Sequence, residues 1–371
     1  MSRFLLMSVT LSLLAAVASF AQTPKAGGPP LRVGIVGLVH GHVHGFFQNA
    51  AKSPAIQIVG IAEPDSKLLS QAGARYGIDR SQLFSSLEEM IAKAHPQAVL
   101  AYTNTFDHRK VVEICARHGV HVMMEKPLTV SYEDALAMQK AAQAGKIHVL
   151  VNYETSWYRS NRAAYDLLHE GALGDVRKVV VHDGHKGPKE IGVEPEFLSW
   201  LTDPKLNGAG ALFDFGCYGA DLMTWLMNGV RPLTVTAVTQ QIKPQIYSRV
   251  DDEATILLTY PKAQAIIQAS WNWPFDRKDM EVYGATGYAI TVKRDDVRVR
   301  RAGEDQDTLL TAKPIPAPYD DSMAYLRAVI LDGASEEPLS SLETNVIVTE
   351  MLDAARTSAK EGRTVRLPLA H

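Results

Sequence analysis

Cysteine is scarce in this chain: two residues, Cys115 and Cys217, in a sequence of 371. They fall in segments assigned below to different domains, which excludes a disulfide framework and leaves each as a small buried hydrophobe. Clustered positive charge is also missing. With 38 basic and 41 acidic residues the formal charge is -3, so neither nucleic acid nor an anionic membrane surface is an expected partner. No internal repeat occurs, and nothing of low complexity follows residue 30. What is plentiful is apolar: hydrophobic residues make up 46% and charged ones 21%, which excludes global disorder and supports a large core. The length favours two domains over one.

The first residues read as an export segment. Arg3 carries one positive charge, Phe4 to Phe20 carries none, and Ser19-Phe20-Ala21 places small residues where signal peptidase reads them. We expect a signal peptide over 1–21, a Pro/Gly-rich linker over 22–30 and an exported protein, periplasmic or secreted, with no membrane contact in its mature form. The alternative is an uncleaved anchor, because the uncharged run approaches a spanning length. No twin-arginine pair is present, and no cysteine follows the run, which speaks against folded export and against a lipoprotein.

From Leu31 to Asn152, short apolar strands (LRVGIVGL, IQIVGIAEP, AVLAYT, VHVMME, IHVLVNY) alternate with helical segments of about a dozen residues. That alternation predicts a doubly wound parallel sheet. One helix, SYEDALAMQKAAQAG, opens on Ser131 in a near-capping box with Asp134 and is expected to close at Gly145. Residues 153–371 change texture. One helix and a Gly/Pro-rich loop region precede six consecutive strand-like runs between LTVTAVTQQI and VRVRR, which predicts an α+β domain with an open, largely antiparallel sheet.

The turn after the first strand, Gly37-Leu38-Val39-His40-Gly41-His42, approximates the G-x-G-x-x-G of a dinucleotide site. In that motif backbone amides approach a pyrophosphate at a helix N-terminus. Gly37 fits, whereas Val39 and His42 replace the second and third glycines. Glu63, ending the second strand, stands where an acid takes ribose hydroxyls; a carboxylate there would repel a 2′-phosphate, so NAD is expected over NADP. Thr103, Asn104 and His108 follow the AVLAYT strand and are expected to line the same crevice, as are Glu125 and Asn152. His40, His42 and His44 are of metal-ligating type, but imidazoles on a loop entering a helix would splay apart, and no metal is expected.

Glu125-Lys126-Pro127 puts a lysine directly after a strand, at the carboxyl edge where open parallel sheets bind ligands. Asp214 and Tyr218, in ALFDFGCYGADLMTWL, read as the entry to a helix. Lys126, Asp214 and Tyr218 form a candidate proton-handling set, in which a lysine ammonium is expected to lower the tyrosine pKa. Tyr153, Trp157, Arg159, His182, His185 and Lys186 are further candidates for a substrate pocket.

With these segments, NRAAYDLLHEGALGDV and the closing AKEGRTVRL, the sequence resembles the Gfo/Idh/MocA oxidoreductases over nearly all of its length beyond Leu31. The resemblance implies an N-terminal Rossmann domain on NAD(P), a C-terminal sheet domain that forms homo-oligomers, and a sugar- or polyol-like substrate. Lys126 matches that family's active-site lysine, and Asp214 and Asp221 its two motif acids. Tyr218 stands at the usual histidine, as in relatives similar to glucose-fructose oxidoreductase and dihydrodiol dehydrogenase, where tyrosine is the acid/base. Because NAD is expected to be scarce outside the cytoplasm, two alternatives stand beside a plain dehydrogenase: an exported glycoside hydrolase cycling a retained NAD, and a non-catalytic sugar-binding protein.

Overall fold

The computed structural model describes residues 28–369; the expected signal peptide and most of the expected linker lie outside them. Six strands form a parallel sheet: β1 (Leu31–Val36), β2 (Ile56–Ala62), β3 (Leu83–Phe84), β4 (Ala98–Ala101), β5 (His121–Glu125) and β6 (Val149–Asn152). Their order is β3-β2-β1-β4-β5-β6, the doubly wound order, and it reverses between β1 and β4. That reversal opens a crevice at the strands' carboxyl ends. Side chains alternate across the sheet: Val33, Ile35, Leu100 and Met123 enter one core, and Val36, Val99, Val122 and Met124 the other.

The second sheet comprises β7 (Val176–Gly184), β8 (Thr234–Gln240), β9 (Glu253–Thr259), β10 (Gln264–Ser270), β11 (Arg277–Gly284), β12 (Gly287–Thr291), β13 (Asp296–Arg301), β14 (Thr308–Thr311) and β15 (Val365–Arg366). It is antiparallel except where β10 runs parallel to β7. Strands β14 and β15 lie at its two edges and are too short or too exposed for the hydrophobic pattern to reveal. The helix Leu342–Glu361 packs on β8, on the helix Gly216–Leu226 and on Tyr132–Gly145 of the first domain, so one core runs through both domains.

All eleven residues of Gly216–Leu226 are buried, the condition of a helix that is apolar on every side. The Tyr132–Gly145 helix ends one residue later than expected. Lys146 takes the left-handed cap (φ 51°), because Gly145 is needed inside the helix: a Cβ there would lie 2.5 Å from the Ala116 carbonyl oxygen of the neighbouring helix.

Candidate active site

Strand β5 delivers Glu125 and Lys126 to the crevice. Lys126 is buried, and its Nζ donates to the Asp214 carboxylate and, at 2.9 Å, to the Asp214 carbonyl. The other Asp214 oxygen accepts from the indole N–H of Trp271 at 2.9 Å. Burial alone would neutralise both groups; their mutual attraction outweighs it, so the Asp214 carboxyl is held below its ordinary value and the Lys126 ammonium above. Asp214 is the last residue of the single turn Ala211–Asp214, which stacks end to end with Gly216–Leu226, rather than the entry to a helix.

Tyr218 joins this pair, as the resemblance implies: Lys126 Nζ lies 5.2 Å from its ring centroid. The expected lowering of its pKa does not occur. Burial first, then the neighbouring Cys217, Glu154, Asp214 and Glu125 side chains, push the phenol well above its ordinary value, and the Lys126 ammonium beside it is paired with Asp214. Tyr218 therefore stays protonated across the neutral range. Its hydroxyl makes no hydrogen bond to protein among the described residues.

Three residues enter the site that the sequence pattern does not single out. Lys278, from β11, lies 4.9 Å from the Tyr218 ring centroid and pairs with Glu154; Trp271 orients Asp214. All three reach the site through tertiary folding and share no motif with it. Lys278, Glu154, His185, Tyr158 and Arg294 line a polar cavity of about 390 Å³ beside this cluster. A larger groove of about 830 Å³ lies between the Tyr132–Gly145 and Leu342–Glu361 helices; Lys126, Asp214 and Tyr218 stand in the walls of neither.

The other substrate candidates divide. His185 lines the 390 Å³ cavity. Tyr153 does not: it is fully buried behind Tyr218, edge-on at 5.5 Å, with its hydroxyl donating to Asn345. Trp157 donates to Asn152, which donates to Glu125 at 3.3 Å, so it supports the crevice. Arg159 faces a separate groove beside Arg162 and pairs with Asp295. His182 points from the opposite face of the sheet to Asp279.

Asp221 is fully buried, with neither carboxyl oxygen hydrogen-bonded among the described residues, and burial pushes its pKa well above the ordinary value. The fold then keeps a proton that the unfolded chain releases near the ordinary value of 3.8, so this residue erodes stability as pH rises through that window. Asp221→Asn should raise Tm at pH 8 by a few °C, roughly 2–4 °C per kcal/mol at this domain size, and the gain should vanish toward pH 4. Thermal melts across pH check the sign.

The cofactor candidates gather at the turn after β1. Gly37 has φ 79°, and a Cβ on it would lie 2.7 Å from the Thr103 amide nitrogen, so only glycine fits. Glu63 accepts from the amides of Leu38 (2.8 Å) and Asp65 (2.9 Å), and burial raises its pKa. The amides of Val39 and Gly41 carry no hydrogen bond among the described residues, and they precede the helix His42–Ala50: two donors at a helix N-terminus, as a pyrophosphate requires. A cavity of about 190 Å³ opens there, between Leu38, Val39, Gly41 and the helix Ser66–Tyr76.

Asn104 caps its own turn through the Asp107 amide. His108 is buried, with Nδ1 within 3.2 Å of the Pro127 and Leu128 carbonyls, which props the lysine turn from behind. The helix Pro195–Leu201 covers the turn: Trp200 Nε1 donates to the Val39 carbonyl at 3.1 Å, the His40 ring lies 4.4 Å from Phe197, and His44 faces Glu194 at 3.5 Å.

Residues 31–153 match the model of an oxidoreductase family with an NAD-binding Rossmann fold, and residues 161–290 match the GFO/IDH/MocA C-terminal domain. These matches, with the strand order and the buried lysine at the crevice, place the chain among the NAD-binding Rossmann oxidoreductases. Within that class it belongs to the Gfo/Idh/MocA family. Its relatives include a trans-1,2-dihydrobenzene-1,2-diol dehydrogenase of Xenopus tropicalis, 25% identical over 317 residues, 81% of this chain and 90% of that protein. A D-apiose dehydrogenase of Paraburkholderia graminis is 26% identical over 335 residues, covering 84% and 83%. The fold is shared with an inositol dehydrogenase homolog of Azotobacter vinelandii crystallised with NAD+ (TM-score 0.79, 18% identity, covering 93% of this chain and 99% of that one).

Proposed function

We propose that the chain moves hydride between NAD and a secondary carbinol carbon of a sugar or polyol. The observation that carries this is the buried Lys126–Asp214 ion pair beside a Tyr218 hydroxyl that, among the described residues, no protein group takes. The residues fit the cofactor: a glycine turn with two amides unpaired among the described residues, Glu63 for the ribose hydroxyls, and Thr103, Asn104, Glu125 and Asn152 around the crevice beyond, with His108 behind it. NAD, when bound there, accepts or supplies the hydride. In the reducing direction Tyr218 gives its phenolic proton to the carbonyl oxygen, while Lys126, held by Asp214, stabilises the developing negative charge. The names of the curated relatives, a diol and an apiose dehydrogenase, support a vicinal hydroxyl compound as substrate. The experiment is to incubate the protein with NAD and a panel of sugars and polyols while following NADH absorbance. Failure of every member to yield NADH or an oxidised product would overturn the reading.

The helix Pro195–Leu201 favours a second reading, in which an exported protein keeps its NAD and returns it to its starting state within one cycle. By fastening Val39, His40 and His44, that segment slows cofactor exchange. Trp200→Phe with Glu194→Ala should speed NAD release roughly tenfold, the equivalent of about 1.4 kcal/mol. Stopped-flow fluorescence of NADH release reads this directly, and an unchanged rate would remove the segment's role. We further propose that the open face of the second sheet joins two copies. Leu257, Ile266 and Val180 form an apolar row across three strands there, and sedimentation at graded concentration tests it.

A further inference from the structure

The histidine run is only partly absorbed by a nucleotide site. The turn after β1 and the end of β5 bring His40, His42 and Glu125 together so that one ligating atom of each lies within 4.8 Å of the others. We propose that these three residues bind a divalent transition-metal ion of the zinc and cobalt type. Two imidazoles and one carboxylate form a recurrent ligand set for such ions, and three protein ligands leave a position open for water or a substrate oxygen.

Bonds of about 2.0–2.1 Å at tetrahedral angles place neighbouring donors roughly 3.4 Å apart. His42 Nδ1 and Glu125 Oε2, 3.0 Å apart, already meet that spacing within a few tenths of an ångström. Rotation of the His42 side chain, 52% exposed, adjusts the rest and opens the entry path. The other two ligands are fixed. His40 is buried with its ring 4.4 Å from Phe197 and 5.5 Å from Trp200. Glu125 is buried and held by Asn152, itself held by Trp157, an outer shell of the kind that orients metal ligands. Whichever His40 nitrogen binds the ion, the contact given up is the long one of 3.3 Å between His42 N and His40 Nδ1.

The run supplies two ligands rather than three. His44, two residues further and so on the far side of the helix, meets Tyr76 and Glu194 instead, which makes it an internal control.

The test is to strip the full-length protein with a chelator, without added nucleotide, and titrate it with Co²⁺ while recording the visible ligand-field bands and the bound metal by elemental analysis. One ion per chain, with bands characteristic of four- or five-coordination, is expected. His40→Ala, His42→Ala and Glu125→Gln should each weaken binding by more than about 100-fold, above what loss of an outer-shell partner costs, whereas His44→Ala leaves it unchanged. Circular dichroism on each variant separates ligand loss from misfolding, and Glu125→Gln keeps the side chain's size. Absence of stoichiometric binding, or equal binding by the His42→Ala and Glu125→Gln variants, would overturn the site.

Discussion

Replacing Lys126 by methionine should cut turnover by orders of magnitude and destabilise the protein, and the two losses have separate causes. Among the described residues the ammonium is the one cation paired with Asp214, and both side chains are less than a tenth exposed. Removing it leaves Asp214 charged and uncompensated, at a cost of about 3–5 kcal/mol. Losing its charge at the reacting oxygen should reduce kcat by about 10²–10³-fold, the size seen when one preorganised electrostatic donor is deleted. Lys126→Met with Asp214→Leu is the control: it restores most of the stability by removing both charges, yet stays inactive. Urea unfolding and steady-state rates on the three proteins separate these effects, and a stable, inactive double variant is the expected pattern.

The same pair sets a pH window. The Asp214 pKa is lowered in the fold, so its contribution is present above the unfolded value of 3.8 and is lost as pH falls through the folded one. The Lys126 pKa is raised, so its contribution is present below the unfolded value of 10.5 and is lost as pH rises through the folded one. Across neutrality the ion pair is intact.

Tyr218→Phe should leave stability nearly unchanged and still lower kcat by about 10²–10⁴-fold, the usual worth of a positioned proton donor. The ring remains, and with it the contacts to Tyr153, Phe215 and the two lysines; only a hydroxyl with no protein partner among the described residues is lost. Because burial pushes the Tyr218 pKa well above 10, the reductive rate should hold through alkaline pH and show no decline near pH 8. A decline there would mean that another group carries the proton. Assigning it to His185 would require a wild-type profile that breaks below 6.5, since burial lowers that residue's pKa.

Much of this was legible beforehand for a physical reason. Strand β5 with its following lysine, the glycine turn, and the acid ending β2 are local: a few adjacent residues specify both the backbone and the chemistry. Hence Lys126, Gly37 and Glu63 all stand at the crevice. Properties that depend on distant neighbours were not legible. Lys126 does not depress the Tyr218 pKa, because Asp214, itself held by Trp271, lies against it. Lys278 and Glu154, far apart in the chain, meet over the Tyr218 ring only because β11 pairs with β7. Arg159 and Tyr153 follow the sheet closely in sequence, yet one turns to an outer groove and the other into the core.

By itself, then, the sequence determined the parallel sheet, its crevice and the lysine at its edge, since periodicity and turn chemistry act over a few residues; Asp214 and Tyr218 were picked out by the resemblance to the family. The tertiary structure alone decided which charges neutralise one another, which hydroxyl stays free, and that two histidines of the run converge on Glu125 while the third turns away. Those outcomes depend on burial and on contacts between elements, which a linear pattern does not encode.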